Sequence, residues 1–302
     1  MVGPAPLNAT SVAVALLVSL LWGGNLVSLK VALSTVPPFW SAFWRMLLGA
    51  LVVMLWARAA RVPIWPAPGE GWGLFRLGLL FTAQIALLNM AAEMTSPAYG
   101  EVILNSYAIF ANLIAHFTST HERLNRVRVL GLSLAFAGLC VVALGRPQVA
   151  LAPKPLLGNL VMVMSAFLLG ARQVYTRRLV QRVNPMRAMV WQLAGSVPLF
   201  ALGAVVFGEP LATGPLTVGP VAAIAYQGLV VAGCCFVGWA WLLKQHASGT
   251  VSMFSFLVPF AGIGFSRVFL GEAPRAGFFV GVSLALGGLL ITSLPGLVGR
   301  RR

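Results

Sequence analysis

Apolar residues in this chain come in continuous blocks, with no alternation between apolar and polar positions. Ten blocks of about 20 residues can be marked, at roughly 11–30, 38–57, 72–92, 98–118, 127–145, 156–176, 187–207, 218–243, 250–270 and 277–297. A helix needs that length to cross a bilayer. The period-two pattern of a membrane barrel strand is missing. In hydrocarbon every backbone N–H and C=O must pair within the chain, so unbroken apolar runs of this length are helices. The pattern predicts an all-α membrane protein of ten transmembrane helices. The connections are short and rich in Pro, Gly and charge: Pro37-Pro38, Arg61 to Gly71, His121 to Arg128, Gly145 to Pro155 and Gly208 to Gly219. None has room for a separate soluble domain.

The blocks also repeat. Residues 98–141 align without a gap to 248–291 at an offset of 150, with nine identities in 44 positions. Phe110-Ala111 falls on Phe260-Ala261, Glu122 on Glu272, Gly131 on Gly281, Ser133-Leu134-Ala135 on Ser283-Leu284-Ala285, and Gly138-Leu139 on Gly288-Leu289. The first spans of each half match at an offset of 147: Gly23 with Gly170, Val27 with Val174, Lys30 with Arg177 and Pro38 with Pro185. Fixed-period self-similarity predicts a duplicated architecture. Five crossings per copy is an odd number, so the second copy starts on the opposite side of the membrane. The expected domains are two inverted five-helix repeats, 1–146 and 154–299. Inverted repeats place a binding site near the midplane between the halves. No second copy of the chain is needed to form such a cavity.

Composition sharpens this picture. The chain is 59% hydrophobic and 9% charged, against about 25% charged in soluble domains. The net charge of +15 would suit a nucleic-acid partner, but its distribution argues otherwise. With the N-terminus inside, the inner loops, flanks and tail hold most of the arginines, including Arg58, Arg61, Arg76, Arg123, Arg126, Arg128, Arg177, Arg178, Arg182, Arg187 and Arg300 to Arg302. The outer side holds Arg146, Lys154 and Arg275. This positive-inside bias predicts both termini in the cytoplasm and no nucleic-acid partner. The first block lacks a basic leader region and is too long for a signal peptide's apolar core, so it is expected to remain as a span. Cys140, Cys234 and Cys235 lie in apolar spans and are expected to pack. The sequence has no Asp, no H-E-x-x-H motif, and its three His residues (116, 121 and 246) lie on different elements. No catalytic site, metal or cofactor is expected.

The chemistry lies in polar groups inside the apolar blocks. On span 4, Glu101, Asn105, Asn112 and His116 fall at i, i+4, i+11 and i+15, within about 60° of one another on a helical wheel. A charge facing lipid at mid-bilayer costs about 2.5–3.5 kcal/mol on insertion scales, so the stripe faces protein or water. It is expected to wall a cavity, with Glu101 and His116 as proton-coupling candidates; helix–helix hydrogen bonding is the competing role. Trp22 and Asn25 on span 1, Asn89 on span 3, and Tyr107, Tyr175, Ser252 and Phe256 are further solute-binding candidates. Gln84 points away from Asn89, so the two cannot share a wall. Lys30 and Arg45 are expected to snorkel or to pair structurally; Arg45, several residues into its span, has attraction of an anionic group from the cavity as its alternative role. Arg172 also lies near a membrane end. It occupies the place of Asn25 in the repeat, which makes it the candidate for a solute carboxylate. The paired glycines of spans 5 and 10 are expected to allow close helix approach.

Trp22-Gly23-Gly24-Asn25-Leu26-Val27-Ser28-Leu29-Lys30, the following Pro37-Pro38, Phe43-Trp44-Arg45 and Phe269-Leu270-Gly271-Glu272 resemble motifs of the drug/metabolite transporter superfamily, in its ten-helix EamA-type branch. Thr120-His121-Glu122-Arg123-Leu124 is a weaker counterpart of the last motif. The resemblance implies a basket of spans 1–4 and 6–9 around a central cavity, with spans 5 and 10 outside. It also implies an exporter in a bacterial inner membrane, moving amino acids or other small amphipathic metabolites. A nucleotide-sugar or organophosphate antiporter of the same superfamily is the alternative; it would need several basic groups deep in the cavity. A non-transport structural or regulatory membrane protein is the remote one. Helix 4 of the family often carries a Pro before its aromatic residue, as span 9 does at Pro259-Phe260; here span 4 has Ile109-Phe110.

Overall fold

Proline opens four of the helices. Pro38, Pro97, Pro155 and Pro185 each stand in the first turn, where the missing N–H costs nothing and the fixed φ suits a helix. Asparagine starts three more or reinforces them: Asn8, Asn125 and Asn184 accept hydrogen bonds from the first-turn backbone N–H groups of Ser11, Arg128 and Met186, as N-cap side chains do. The computed structural model describes residues 8–118, 125–147, 149–246, 251 and 253–298. Ser252, the Thr120 to Leu124 motif and Arg300 to Arg302 lie outside the described residues.

Span 1 is Ala9–Gly23 and Asn25–Ala32, interrupted at Gly24. Spans 2 and 3 are Pro38–Ala59 and Gly71–Met94. Span 4 is two short helices, Pro97–Asn105 and Tyr107–Thr118, separated at Ser106. Spans 5, 6 and 7 are Arg126–Ala143, Pro155–Leu179 and Pro185–Val206. Span 8 runs from Val218–Ala225 through a π-helical stretch, Tyr226–Cys235, into Phe236–Gln245. Span 9 is a 3₁₀ turn, Met253–Phe256, leading into Leu257–Leu270, and span 10 is Ala276–Val298. Among the described residues, spans 1, 2, 3, 5, 6, 7, 8 and 9 are each long and apolar enough to cross a membrane, and span 10 is apolar over Ala276–Thr292. The fold is all-helical, and its elements follow the ten expected blocks. Large apolar side chains such as Leu55, Leu130, Val205 and Val268 are exposed on the outside, which suits a surface bathed in lipid.

The main helix contacts join early spans to late ones. Span 5 packs on span 10, span 3 on spans 6 and 7, span 2 on spans 7 and 8, span 4 on span 6, and span 1 on span 9. Small residues set how close these approaches are. A Cβ on Gly131 would lie 2.7 Å from the Gly288 carbonyl, and one on Gly138 would lie 2.6 Å from the Gly281 carbonyl. The pairing runs in opposite directions along the two helices, so spans 5 and 10 are antiparallel. A Cβ on Gly23 would meet Ala261 at 2.5 Å, and one on Gly170 would meet the Ala111 nitrogen at 2.8 Å.

Helix ends are tied by long-range polar contacts. Glu209, after span 7, accepts from the Phe39 and Trp40 backbone N–H groups at the start of span 2, at 3.0–3.2 Å. Buried Glu272, after span 9, accepts from the Ala98 N–H at 3.1 Å and from the hydroxyls of Ser96 and Ser266. A carboxylate on a helix N-terminus is favoured by the orphan N–H groups and the helix dipole. Lys30 takes structural pairing over snorkelling. Its ammonium donates to the Ala92, Glu93 and Thr95 carbonyls at 2.9, 2.9 and 3.0 Å, capping the negative end of span 3. At the other end of the molecule Arg187 pairs with Glu70 and donates to the Pro63 carbonyl at 3.0 Å.

Two outcomes follow from this packing. Gly138→Leu places a side chain where a Cβ already meets the Ala285 nitrogen at 2.3 Å, so it should destabilise the fold by about 1–3 kcal/mol and lower the thermal midpoint in detergent. Gly287→Ala on span 10, where a Cβ meets nothing within 4 Å, should leave the midpoint unchanged. The second concerns Glu70, whose pKa is lowered from the ordinary 4.5 by its hydrogen bond from the Ala67 N–H and by Arg187. A depressed carboxylate pKa stabilises above the unfolded value and loses that contribution as pH falls through the folded one. The midpoint of the wild type should exceed that of Glu70→Gln at neutral pH, and the gap should close as the pH drops below 4.5.

Candidate functional site

Where spans 1, 2, 3, 4, 6, 8 and 9 meet, they leave a cavity of about 180 Å³. An engineered protein cavity of about 150 Å³ holds benzene, so the space suits a small organic molecule. Among the described residues spans 5, 7 and 10 contribute nothing to its lining; the basket arrangement implies this for spans 5 and 10, whereas span 7, expected around the cavity, packs on spans 2 and 3 instead.

Helix interruptions open the space. Span 1 breaks at Gly24, where a Cβ would stand 2.7 Å from the Tyr226 hydroxyl. That hydroxyl donates to the Leu21 carbonyl at 2.5 Å, satisfying a backbone group next to the break. The break presents Trp22 and Asn25 to the cavity. Asn25 Oδ1 is buried without a hydrogen-bond partner. Trp22 packs against Phe236 and Trp239, ring centroids 6.1 and 5.0 Å away, as aromatic clusters do in cores. On span 8 the π-helical stretch brings Val231 and Ala232 into the lining. Long π segments are rare and often accompany functional sites.

Span 4 supplies Glu101, Asn105 and Tyr107. Glu101 is 3% exposed. The Asn105 amide donates to its Oε1 at 3.0 Å and to its backbone carbonyl at 2.8 Å, while Oε2 has no partner. Gly262 on span 9 lies against the Glu101 side chain, with room for nothing larger: a Cβ there would be 2.6 Å from Glu101 Cγ. Span 2 supplies Arg45, 5% exposed, whose Nη1 is 3.4 Å from Gln227 Oε1. Span 6 supplies Arg172, whose guanidinium lies 4.8 Å from the centre of the Phe81 ring, a cation–π distance. Both arginines line the cavity and do not snorkel outward.

Other sequence candidates lie elsewhere. The span 4 stripe is interrupted at Ser106, so Asn112 and His116 do not continue the wall formed by Glu101 and Asn105. The Asn112 amide instead donates back to the Ala108 carbonyl at 2.8 Å, and the His116 ring contacts Phe117. The Asn89 amide donates to the Pro38 carbonyl at 2.8 Å, which ties span 3 to span 2. The Tyr175 hydroxyl donates to the Gly73 carbonyl at 3.0 Å. Phe256 packs against the main apolar core. Conversely, Gln84 was not among the sequence candidates and lines the cavity. Its amide donates to the Ser165 hydroxyl at 3.1 Å, while its Oε1 is buried and unpartnered. Its opposition to Asn89 on the wheel holds: one lines the cavity and the other does not. The lining by Phe81 and the Arg45–Gln227 contact had no local signal, since each depends on which faces the bundle turns inward.

Comparison with known proteins agrees with this architecture. Residues 9–144 and 156–294 each match the EamA-like transporter family. A protein of Salmonella typhimurium named "Probable amino-acid metabolite efflux pump" is 28% identical over 290 residues, covering 92% of each chain. The protein of that name in Escherichia coli is 27% identical over 290 residues, again 92% of each. "Uncharacterized transporter YoaV" of Bacillus subtilis is 24% identical over 276 residues, 91% of each. A solved crystal structure superposes with a TM-score of 0.67 over 97% of this chain and 100% of that one, at 19% identity, which shows a shared fold. With two family matches covering most of its length and a small-molecule cavity inside a helical membrane bundle, the chain belongs to the EamA-like transporters of the drug/metabolite transporter superfamily: it is a multi-pass membrane transporter, not an enzyme.

Proposed function

We propose that this transporter exports small metabolites, such as amino acids or amphipathic compounds, by alternating access between two inverted repeats, 1–146 and 154–299. The cavity carries the proposal. It is lined from both halves and holds polar groups that have no protein partner: Asn25 Oδ1, Gln84 Oε1 and Glu101 Oε2. Buried polar atoms left unpaired are costly unless a ligand or water meets them.

Pairs of equivalent contacts support the inverted repeat. Gly23 meets Ala261, and their counterparts Gly170 and Ala111 meet in turn. Gly131 meets Gly288, and their counterparts Gly281 and Gly138 meet in turn. Such paired contacts suit two related packings of one scaffold, each open to one side. The names of the Salmonella and Escherichia relatives support efflux of amino-acid metabolites. The arginine distribution along the sequence supports an inner-membrane protein with both termini in the cytoplasm. No second copy of the chain is required for the cavity.

Glu101 is the proton carrier in this proposal. It is the one carboxylate in the cavity lining, and half of it is unpartnered. His116, the other coupling candidate, is outside the lining. In proteoliposomes, a pH gradient should drive uphill solute movement by the wild type and by His116→Gln. Glu101→Gln should lose that drive by about tenfold or more while still exchanging solute down its gradient. Proton-driven accumulation at the wild-type rate in Glu101→Gln would remove Glu101 from the coupling step.

A further inference from the structure

The charges in the cavity do not balance. Two guanidinium groups, Arg45 and Arg172, share it with one carboxylate, Glu101. An arginine stays charged under essentially all protein conditions and offers five N–H donors. Here those donors are largely idle. Arg45 has one long contact to Gln227 and a buried, unpartnered Nε. Arg172 rests on the Phe81 ring and has an unpartnered Nη1. Neither has a carboxylate partner among the described residues. Two like charges facing one low-dielectric space repel, and removing them from water is costly unless a counter-charge meets them.

The repeat does not impose these charges. At the 147 offset Arg172 corresponds to Asn25, and Arg45 to Gln192. Both cations therefore break the internal symmetry, as Glu101 does against Val251 at the 150 offset. They come from different halves, Arg45 from span 2 and Arg172 from span 6. Trp22 and Phe236 give the same space an aromatic wall.

We propose that the transported solute is a small organic anion, its anionic group held jointly by Arg45 and Arg172 and its apolar body against Trp22 and Phe236. The proposal rests on the transporter reading above and names the solute class of that cavity. With Glu101 ionised, a monoanion makes the ensemble of two arginines, Glu101 and solute neutral. A zwitterion leaves one positive charge in excess, and a cation leaves two. A bridging anion would contact both halves at once, through Arg45 of the first and Arg172 of the second.

The test uses the purified full-length protein and three compounds that share a phenyl ring: phenylacetate, phenylalanine and phenethylamine, compared by calorimetric titration at neutral pH. Phenylacetate should bind about tenfold tighter than either of the others. Arg45→Gln and Arg172→Gln should each weaken it by about tenfold or more. Arg45→Lys and Arg172→Lys, which keep the charge but lose the planar fork, should restore part of the affinity. Equal or tighter binding of phenylalanine or phenethylamine, unchanged phenylacetate affinity in the Gln variants, or binding of none of the three would overturn the proposal. Counterflow of phenylacetate in proteoliposomes separates the two levels: arginine-dependent binding without any exchange across the membrane keeps the anion site and sinks the transport reading.

Discussion

No water reaches the hydrocarbon core of a bilayer, and the rest of this molecule follows from that constraint. Each backbone group must pair within the chain, so the described spans are helical apart from the breaks at Gly24 and Ser106. Where a helix stops or breaks, another part of the chain closes the gap. Glu209 and Glu272 meet the starts of spans 2 and 4, Lys30 meets the end of span 3, and Tyr226 meets the break in span 1. The same constraint gives meaning to the exceptions. Among the described residues ten buried side-chain polar atoms lack a partner, and five of them, on Asn25, Arg45, Gln84, Glu101 and Arg172, gather around one cavity.

Close packing by small residues lets the early and late spans interlock without a large hydrophobic driving force, because lipid is as apolar as the helices themselves. Gly23, Gly131, Gly138 and Gly170 sit at contacts where a methyl group would clash. None of these glycines lines the cavity. The cavity wall is where the sequence departs from its own repeat. Asn25, Arg45 and Glu101 correspond to Arg172, Gln192 and Val251. In the proposed mechanism the scaffold supplies the motion and the asymmetric wall supplies selectivity and coupling.

Much of this was legible in the residues. Span positions followed from block length, because that is a local signal. The glycine pairs Gly131, Gly138, Gly281 and Gly288 pointed to close helix approach, and the structure shows spans 5 and 10 as the antiparallel partners. The site was legible only in part. Trp22, Asn25, Glu101, Asn105, Tyr107 and Arg172 line the cavity, while Asn112, Tyr175 and Phe256 bond or pack elsewhere and Asn89 donates to the Pro38 carbonyl with its Oδ1 left unpartnered. A helical wheel assumes a continuous helix, and the break at Ser106 ended the stripe after Asn105. The π-helical turn of span 8 depends on tertiary packing, which no local pattern encodes. An ionisable residue well inside an apolar block is a functional candidate by default, and that rule would have favoured Arg45 over snorkelling.

The central claim is that one cavity between the two halves opens alternately to each side of the membrane. Ser255 lines that cavity from span 9. A Ser255→Cys variant, with Cys140, Cys234 and Cys235 replaced by alanine, can be probed with a membrane-impermeant thiol reagent on right-side-out and inside-out vesicles. The account predicts labelling from both sides, with bound solute slowing each. Labelling from one side only, whatever the solute or gradient, would contradict it.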